Sequence, residues 1–304
     1  MTIKSVFNLR VFVAIVAFTV FASCAGTASP QAVSENTTPR QPVTENITPV
    51  QSTGDNLTPE QPVAKSPAEG KVLKGDSYLQ SGDWDKAITE YTEAIALDAG
   101  LSIAYSRLGF ACYLKGDYES AIADFTRAIE INPKDAGYYL GRGLVFNDSG
   151  DYGKAISDFT RALELDPKYT DAYLYRGKAY YKQEEFPKSI ADFSRAIDIE
   201  PNNAKAYYDR GLAYSFKADY ERAIADYTRA IEIGPPFATA YYNRGLTHHI
   251  KGDYNNAVED YTKAIEMNPN YVTAYNNRGG AYLKLGQYDK AESDFNKAKE
   301  LGSR

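Results

Sequence analysis

The sequence holds little of what catalysis, metal binding or disulfide bonding draws on. Its 304 residues include two cysteines, two histidines, two methionines and one tryptophan. Cys24 and Cys112 are too few for a disulfide framework. His248 and His249 are adjacent, so they face different sides of a helix, and no HExxH, paired CxxC or nucleophile elbow accompanies them. No catalytic residue, metal or cofactor is therefore expected. Basic charge is also short: 34 Lys and Arg against 40 Asp and Glu leave a net charge of -6, which offers nucleic acid no basic face. The apolar run Val11 to Phe21 has eleven residues, too few to cross a bilayer comfortably.

What the chain has is tyrosine, 26 of them, and a repeat. The stretch AYYNRG at Ala240 to Gly245 returns as AYLYRG from Ala172, AYYDRG from Ala206 and AYNNRG from Ala274, always 34 residues apart. Units of 34 counted from Ala68 give seven copies: 68–101, 102–135, 136–169, 170–203, 204–237, 238–271 and 272–304, the last one residue short. The eighth place is always glycine: Gly75, Gly109, Gly143, Gly177, Gly211, Gly245 and Gly279. The twentieth is alanine except at Ser189, the twenty-fourth always Tyr or Phe, and the twenty-seventh always alanine. Proline recurs near the end of the unit at Pro133, Pro167, Pro201, Pro235 and Pro269. This order resembles the tetratricopeptide repeat, with arginine in place of leucine before the glycine in the last five copies. The resemblance implies an all-α fold, a right-handed α-solenoid or superhelix of seven tandem helix-turn-helix units over 66–304.

The residues carry physical reasons of their own. Ser66-Pro67 with Glu69 is a helix start, serine as N-cap and proline in the first turn. Gly116-Asp117-Tyr118 and its copies can end one helix and cap the next. Small residues at the eighth, twentieth and twenty-seventh places let helix backbones approach, and that close approach offsets the propensity cost of Gly245. The twenty-third place is always acidic, so Arg142, Arg176, Arg210, Arg244 and Arg278 are expected to pair with those carboxylates, within a unit or across to the preceding one. Polar swaps at the ends, Lys71 and Lys74 in the first unit, Glu292 and Lys299 in the seventh, are expected to let the terminal helices face water and mark a complete array. Cys112 sits where most copies have Tyr or Phe and reads as a buried, inert thiol.

Function is expected on the other side of each first helix, at the second, fifth, ninth, twelfth and thirteenth places. In tetratricopeptide proteins that side lines a concave groove for peptides or partner proteins. The partner-binding candidates here are Phe110, Tyr113, Leu144, Tyr181, Tyr208, Leu212, Phe216, Tyr242, Leu246, His249 and Asn276. Asn243 and Asn277, at the sixth place, partly resemble the asparagine ladder of O-linked N-acetylglucosamine transferase, with Asp209 beside them. The lysine, asparagine and arginine of the two-carboxylate clamp for acidic C termini are missing. An enzyme is the competing class, and the carboxylates that would serve it recur every 34 residues, as structural parts do.

The N-terminal 65 residues differ from the rest. Lys4 and Arg10 before the apolar run make residues 1–23 a signal peptide. Phe21-Ala22-Ser23-Cys24 resembles the lipobox of bacterial lipoproteins, with Phe21 at the usual leucine, which implies a diacylated Cys24 as mature N-terminus. The other reading is ordinary cleavage after Ala25 or Ala28, giving a secreted or surface-exposed protein without lipid. Residues 24–65 are rich in Thr, Pro, Asn and Gln and are expected to form a disordered tether. They repeat every ten residues, at Asn36-Thr-Thr-Pro39, Asn46-Ile-Thr-Pro49 and Asn56-Leu-Thr-Pro59. The expectation is thus an extracytoplasmic scaffold, lipid-anchored to a bacterial cell envelope, that binds a protein or peptide and no nucleic acid.

Overall fold

The computed structural model describes residues 66–234 and 238–302. The signal peptide, Cys24, the tether and Pro235 lie outside them. Fourteen helices and no strands form among the described residues, two to each unit of 34. The first unit is α1 (Pro67–Gln80) and α2 (Trp84–Leu97), the second α3 (Ser102–Lys115) and α4 (Tyr118–Ile131). Then follow α5 (Ala136–Asp148) and α6 (Tyr152–Leu165), and α7 (Thr170–Lys182) and α8 (Phe186–Ile199). The last three pairs are α9 (Ala204–Phe216) and α10 (Tyr220–Ile233), α11 (Ala238–Lys251) and α12 (Tyr254–Met267), and α13 (Val272–Lys284) and α14 (Tyr288–Gly302).

Turn chemistry sets the period. Ser66 Oγ accepts the Glu69 N–H at 3.2 Å, and Asp117 Oδ1 accepts the Ser120 N–H at 3.1 Å, so orphan donors at helix starts are satisfied by side chains. Gly116 ends α3 in the left-handed region at φ 82°, where glycine costs nothing. The same turn in the fourth and fifth units forces Glu184 to φ 60° and Ala218 to φ 58°. A side chain there costs about 1–2 kcal/mol. Ala218→Gly should therefore stabilise the chain by about 0.5–1 kcal/mol after the flexibility glycine adds to the unfolded state, read as a higher urea midpoint.

Each helix packs on its neighbours in the chain, and the first helices of successive units also touch one another. The second helices make no such contact among the described residues. One layer is therefore drawn together and the other spread, and the stack must curve with the first helices on its inner wall. This is an α-solenoid.

Between the layers lie successive clusters of buried apolar side chains. The ring at the twenty-fourth place is at most 3% exposed in the first six units and 37% exposed at Phe295 in the seventh. Glycine at the eighth place leaves room for that ring: a Cβ built on Gly177 would stand 2.8 Å from Phe193 Cε1.

The five arginines are staples. Arg210 Nε and Nη2 each donate to Asp226 of the same unit at 2.8 Å, and Nη1 donates to Ser194 Oγ of the preceding unit at 2.9 Å. Arg142, Arg176, Arg244 and Arg278 repeat the pattern on Asp158, Asp192, Asp260 and Asp294, with Thr126, Thr160, Thr228 and Thr262 as the third acceptors. The hydroxyls of Thr126, Thr160, Ser194 and Thr262 give their own protons to backbone carbonyls four residues back, which leaves lone pairs for the guanidinium. The carboxylate pairing is thus within units and the hydroxyl bond between them.

The first unit corrects an expectation. Lys71 and Lys74 do not simply face water: both ammonium groups reach the buried Glu90, at 3.0 and 2.5 Å, and replace the arginine. In the second unit Leu108 occupies the arginine's place, and Asp124 meets the buried Cys112 Sγ at 3.9 Å instead. Burial, and then Asp117, push the Asp124 carboxyl up to about 6, while burial, and then Asp124, push the thiol up to about 11. A carboxyl raised on folding destabilises the charged form, so this group withdraws stability as pH rises from about 4 through 6. Asp124→Asn should raise the thermal midpoint relative to the parent at pH 7.5, with the difference fading towards pH 4.5. A difference that is equal at both pH values would show Asp124 to be unstrained.

Candidate functional site

The inner wall carries a cavity of about 290 Å³ that runs across the third to seventh units. Helix α5 contributes Asn147, α7 Lys178, Tyr181 and Lys182, and α8 Phe193. The middle is Tyr208, Asp209, Leu212 and Phe216 of α9, and the far side Thr239, Tyr242 and Asn243 of α11 with Tyr271 and Thr273. The fold places these together because the second, fifth, ninth, twelfth and thirteenth places of each first helix turn inward.

One end is an aromatic cluster. Tyr181 meets Phe186 and Phe216 edge-on at 5.6 and 5.5 Å, and Phe186 stacks on Phe216 at 5.4 Å. Phe216 is exposed, so this cluster presents a ring face to an incoming apolar group. The other end is polar and cross-linked. Asn243 Nδ2 donates to Tyr208 Oη at 2.9 Å, and Asn277 Nδ2 donates to Tyr242 Oη at 2.8 Å, each bond joining the sixth place to the fifth of the preceding unit. In the fifth unit the sixth place is Asp209, which takes Lys178, the ninth place of the fourth unit, at 3.3 Å.

Two lining acceptors, Asn147 Oδ1 and Thr273 Oγ1, are buried with no hydrogen-bond partner among the described residues. Each such group costs about 1–3 kcal/mol unsatisfied, a cost that a ligand's N–H groups would remove. The lining is mostly apolar, with two lysines against one aspartate among its charged residues. This arrangement suits an extended polypeptide with an apolar anchor and an acidic neighbour, held through its backbone.

Of the expected partner-binding residues, the cavity brings together Tyr181, Tyr208, Leu212, Phe216, Tyr242 and Asn243. Others lie apart from it. Leu144 is buried in the core with Phe159 and Leu163, so it backs the wall instead of presenting to a partner. Phe110 and Tyr113 pack against Cys112, Phe125 and Val145, and Tyr113 Oη donates to Asp148 at 2.6 Å. Leu246 packs on the core of the sixth unit, and His249 stands edge-on to Tyr254 and Tyr261, its pKa lowered by burial and then by Lys284. Asn276 is exposed. Asn277 is tied to Tyr242, so its amide is not a free ladder rung.

Sequence reasoning by apolarity passed over Asn147, Lys178, Lys182, Thr239 and Thr273, although they stand at the same inward places. Phe193 and Tyr271 come from the twenty-fourth and last places, and no pattern in the first helices announces them.

Comparison with known proteins agrees with this geometry. A profile described as tetratricopeptide repeat matches residues 102–135, 204–237 and 238–271, a second described as TPR repeat matches 75–116, 143–184 and 177–215, and a third tetratricopeptide repeat profile matches 260–293. No curated protein sequence matches the chain. Among solved structures, MamA is similar at 30% identity and a TM-score of 0.52, covering 53% of this chain and 94% of MamA. YrrB, described as a TPR protein with an unusual peptide-binding site, is similar at 25% identity and a TM-score of 0.53, covering 60% of this chain and 95% of YrrB. A tetratricopeptide repeat protein from Parabacteroides merdae shares the fold at 19% identity and a TM-score of 0.59, covering 77% of this chain and 93% of its own.

Proposed function

The chain belongs to the tetratricopeptide repeat family, and from that premise we propose that it is a non-catalytic scaffold whose inner wall holds an extended segment of a partner protein. The observation that carries the proposal is the cavity of α7, α9 and α11, where an aromatic cluster, two lysines and unpaired acceptors converge on one trough. The peptide-binding description of YrrB supports the same reading by similarity. Catalysis has no support in this trough, whose titratable groups are two lysines, an aspartate and tyrosines engaged in structural contacts.

The signal sequence and the lipobox-like Phe21-Ala22-Ser23-Cys24 support a lipid anchor and an extracytoplasmic site of action. Intact mass of the mature protein tests the anchor: acylated Cys24 as first residue is the expected result, and an unmodified terminus further on rejects it. Binding is tested by peptide display against the immobilised full chain. Peptides so selected should bind the Leu212→Asp/Phe216→Asp variant at least about tenfold more weakly, since about 1.4 kcal/mol corresponds to tenfold. Unchanged helical circular dichroism confirms that the variant is folded, and equal binding to both proteins would remove the trough from the account.

A further inference from the structure

We propose that the trough has a resident occupant in the same chain, the segment Glu45-Asn46-Ile47-Thr48-Pro49, which a partner must displace. The proposal rests on the peptide-binding reading above and goes beyond it by naming a ligand and a regulation.

Three observations point to this segment. The first is chemical complementarity. The N-terminal region repeats an acidic residue, asparagine, a variable residue, threonine and proline at Glu35 to Pro39, Glu45 to Pro49 and Asp55 to Pro59. Proline-bearing extended segments dock on aromatic-lined grooves at small entropic cost because their conformation is set in advance. The trough offers Tyr181 and Phe216, with Phe186 packed against both, for the proline and the apolar residue, and its charged lining of Lys178, Lys182 and Asp209, in which Lys178 already meets Asp209, leaves one net positive charge for the acid.

The second is the variable residue, which is Thr37, Ile47 and Leu57 in the three copies. Only the second and third copies bring an apolar anchor.

The third is reach. Contacting first helices lie about 8–10 Å apart, so the four steps from α1 to α9 span about 40 Å at most. Pro59 lies seven residue steps before Ser66, which fully extended cover about 25 Å. Pro49 lies seventeen steps before Ser66, which cover up to about 60 Å, enough to arrive with slack. The third copy is too close to the fold, the first lacks the anchor, and the second meets both conditions. A tether of this length places its motif near the trough at an effective concentration of about millimolar, so even weak affinity keeps the site occupied.

The test uses the full chain with Phe216→p-benzoylphenylalanine. Irradiation followed by trypsin, which cuts after Arg40 and Lys65, should join residue 216 to the peptide 41–65 in a product that runs as a monomer. Glu45→Lys/Ile47→Asp should cut that yield about tenfold, while Asp55→Lys/Leu57→Asp should leave it unchanged. The Glu45→Lys/Ile47→Asp chain, its trough vacated, should also bind a fluorescein-labelled peptide of residues 42–52 at least about tenfold more tightly than the parent does. Cross-links that miss residues 25–65, or that join only separate chains, would overturn the proposal. If display-selected peptides bind the trough and the 42–52 peptide does not, this inference fails and the scaffold reading stands; if neither binds, both fall.

Discussion

Arg210→Met should lower the unfolding free energy of the array by about 3–5 kcal/mol, the cost of leaving a buried carboxylate without its partner. The Asp226 side chain is 8% exposed and accepts both of its hydrogen bonds to Arg210 from one planar fork, so no water can take the arginine's place without opening the unit. The methionine would also leave Ser194 Oγ unused as an acceptor and loosen the fifth unit from the fourth. Adding Asp226→Leu should recover most of the loss, because the penalty lies in the stranded charge more than in the missing attraction. Urea denaturation of the parent, both single variants and the double variant gives the cycle. A loss below about 1 kcal/mol for Arg210→Met would mean that the pair behaves as a solvated surface bridge. The second unit already lives without the staple, and the raised carboxyl of Asp124 is the mark it leaves.

The same glycine-to-alanine change should have opposite signs at two places in one hairpin. Gly143 lies under the Phe159 ring, and a Cβ there would come within 2.6 Å of Cε1. That ring is fully buried and also stacks on Tyr175 at 6.1 Å, so it has nowhere to retreat without pushing the fourth unit. Gly143→Ala should destabilise by about 1–3 kcal/mol despite the better helix propensity of alanine. Gly153 is exposed in the first turn of α6, and a Cβ there meets only Asp151 Oδ1 at 3.7 Å. Gly153→Ala should stabilise by about 0.5–1 kcal/mol. Loss of unfolded-state freedom is common to both, so the difference between their urea midpoints isolates the packing. Two variants of equal stability would show that the eighth-place glycine is not held by the ring.

The helices and their pairing were legible from the period alone, since each unit can bury its aromatic ring only by stacking on the next. The arginine and the acid could be matched because both recur at fixed places. The third hydrogen bond of the staple was also written there, in the hydroxyls of Thr126, Thr160, Ser194, Thr228 and Thr262, but its meaning depends on how far one unit is offset from the last. The same offset hid the bonds from Asn243 to Tyr208 and from Asn277 to Tyr242. In the trough, a search for apolar side chains found one wall and missed Lys178, Lys182 and Asn147, because polarity at an inward place is informative only once the neighbours are known. Lys71 and Lys74 read as solvated for a similar reason: the carboxylate that gathers them sits on another helix.

No described helix touches anything further along the chain than its next-but-one neighbour. Held by its two ends, such a molecule has no long-range bolt and should behave as a soft spring, its coils widening under small loads before any unit gives way. Phe295 is the most exposed of the seven rings and marks the weakest coil of the spring, so an optical trap should register the first rupture there, followed by a ladder of similar steps as successive units let go. A trough shaped by that curvature would then widen or narrow with tension, and its grip on a guest would follow the load on the chain.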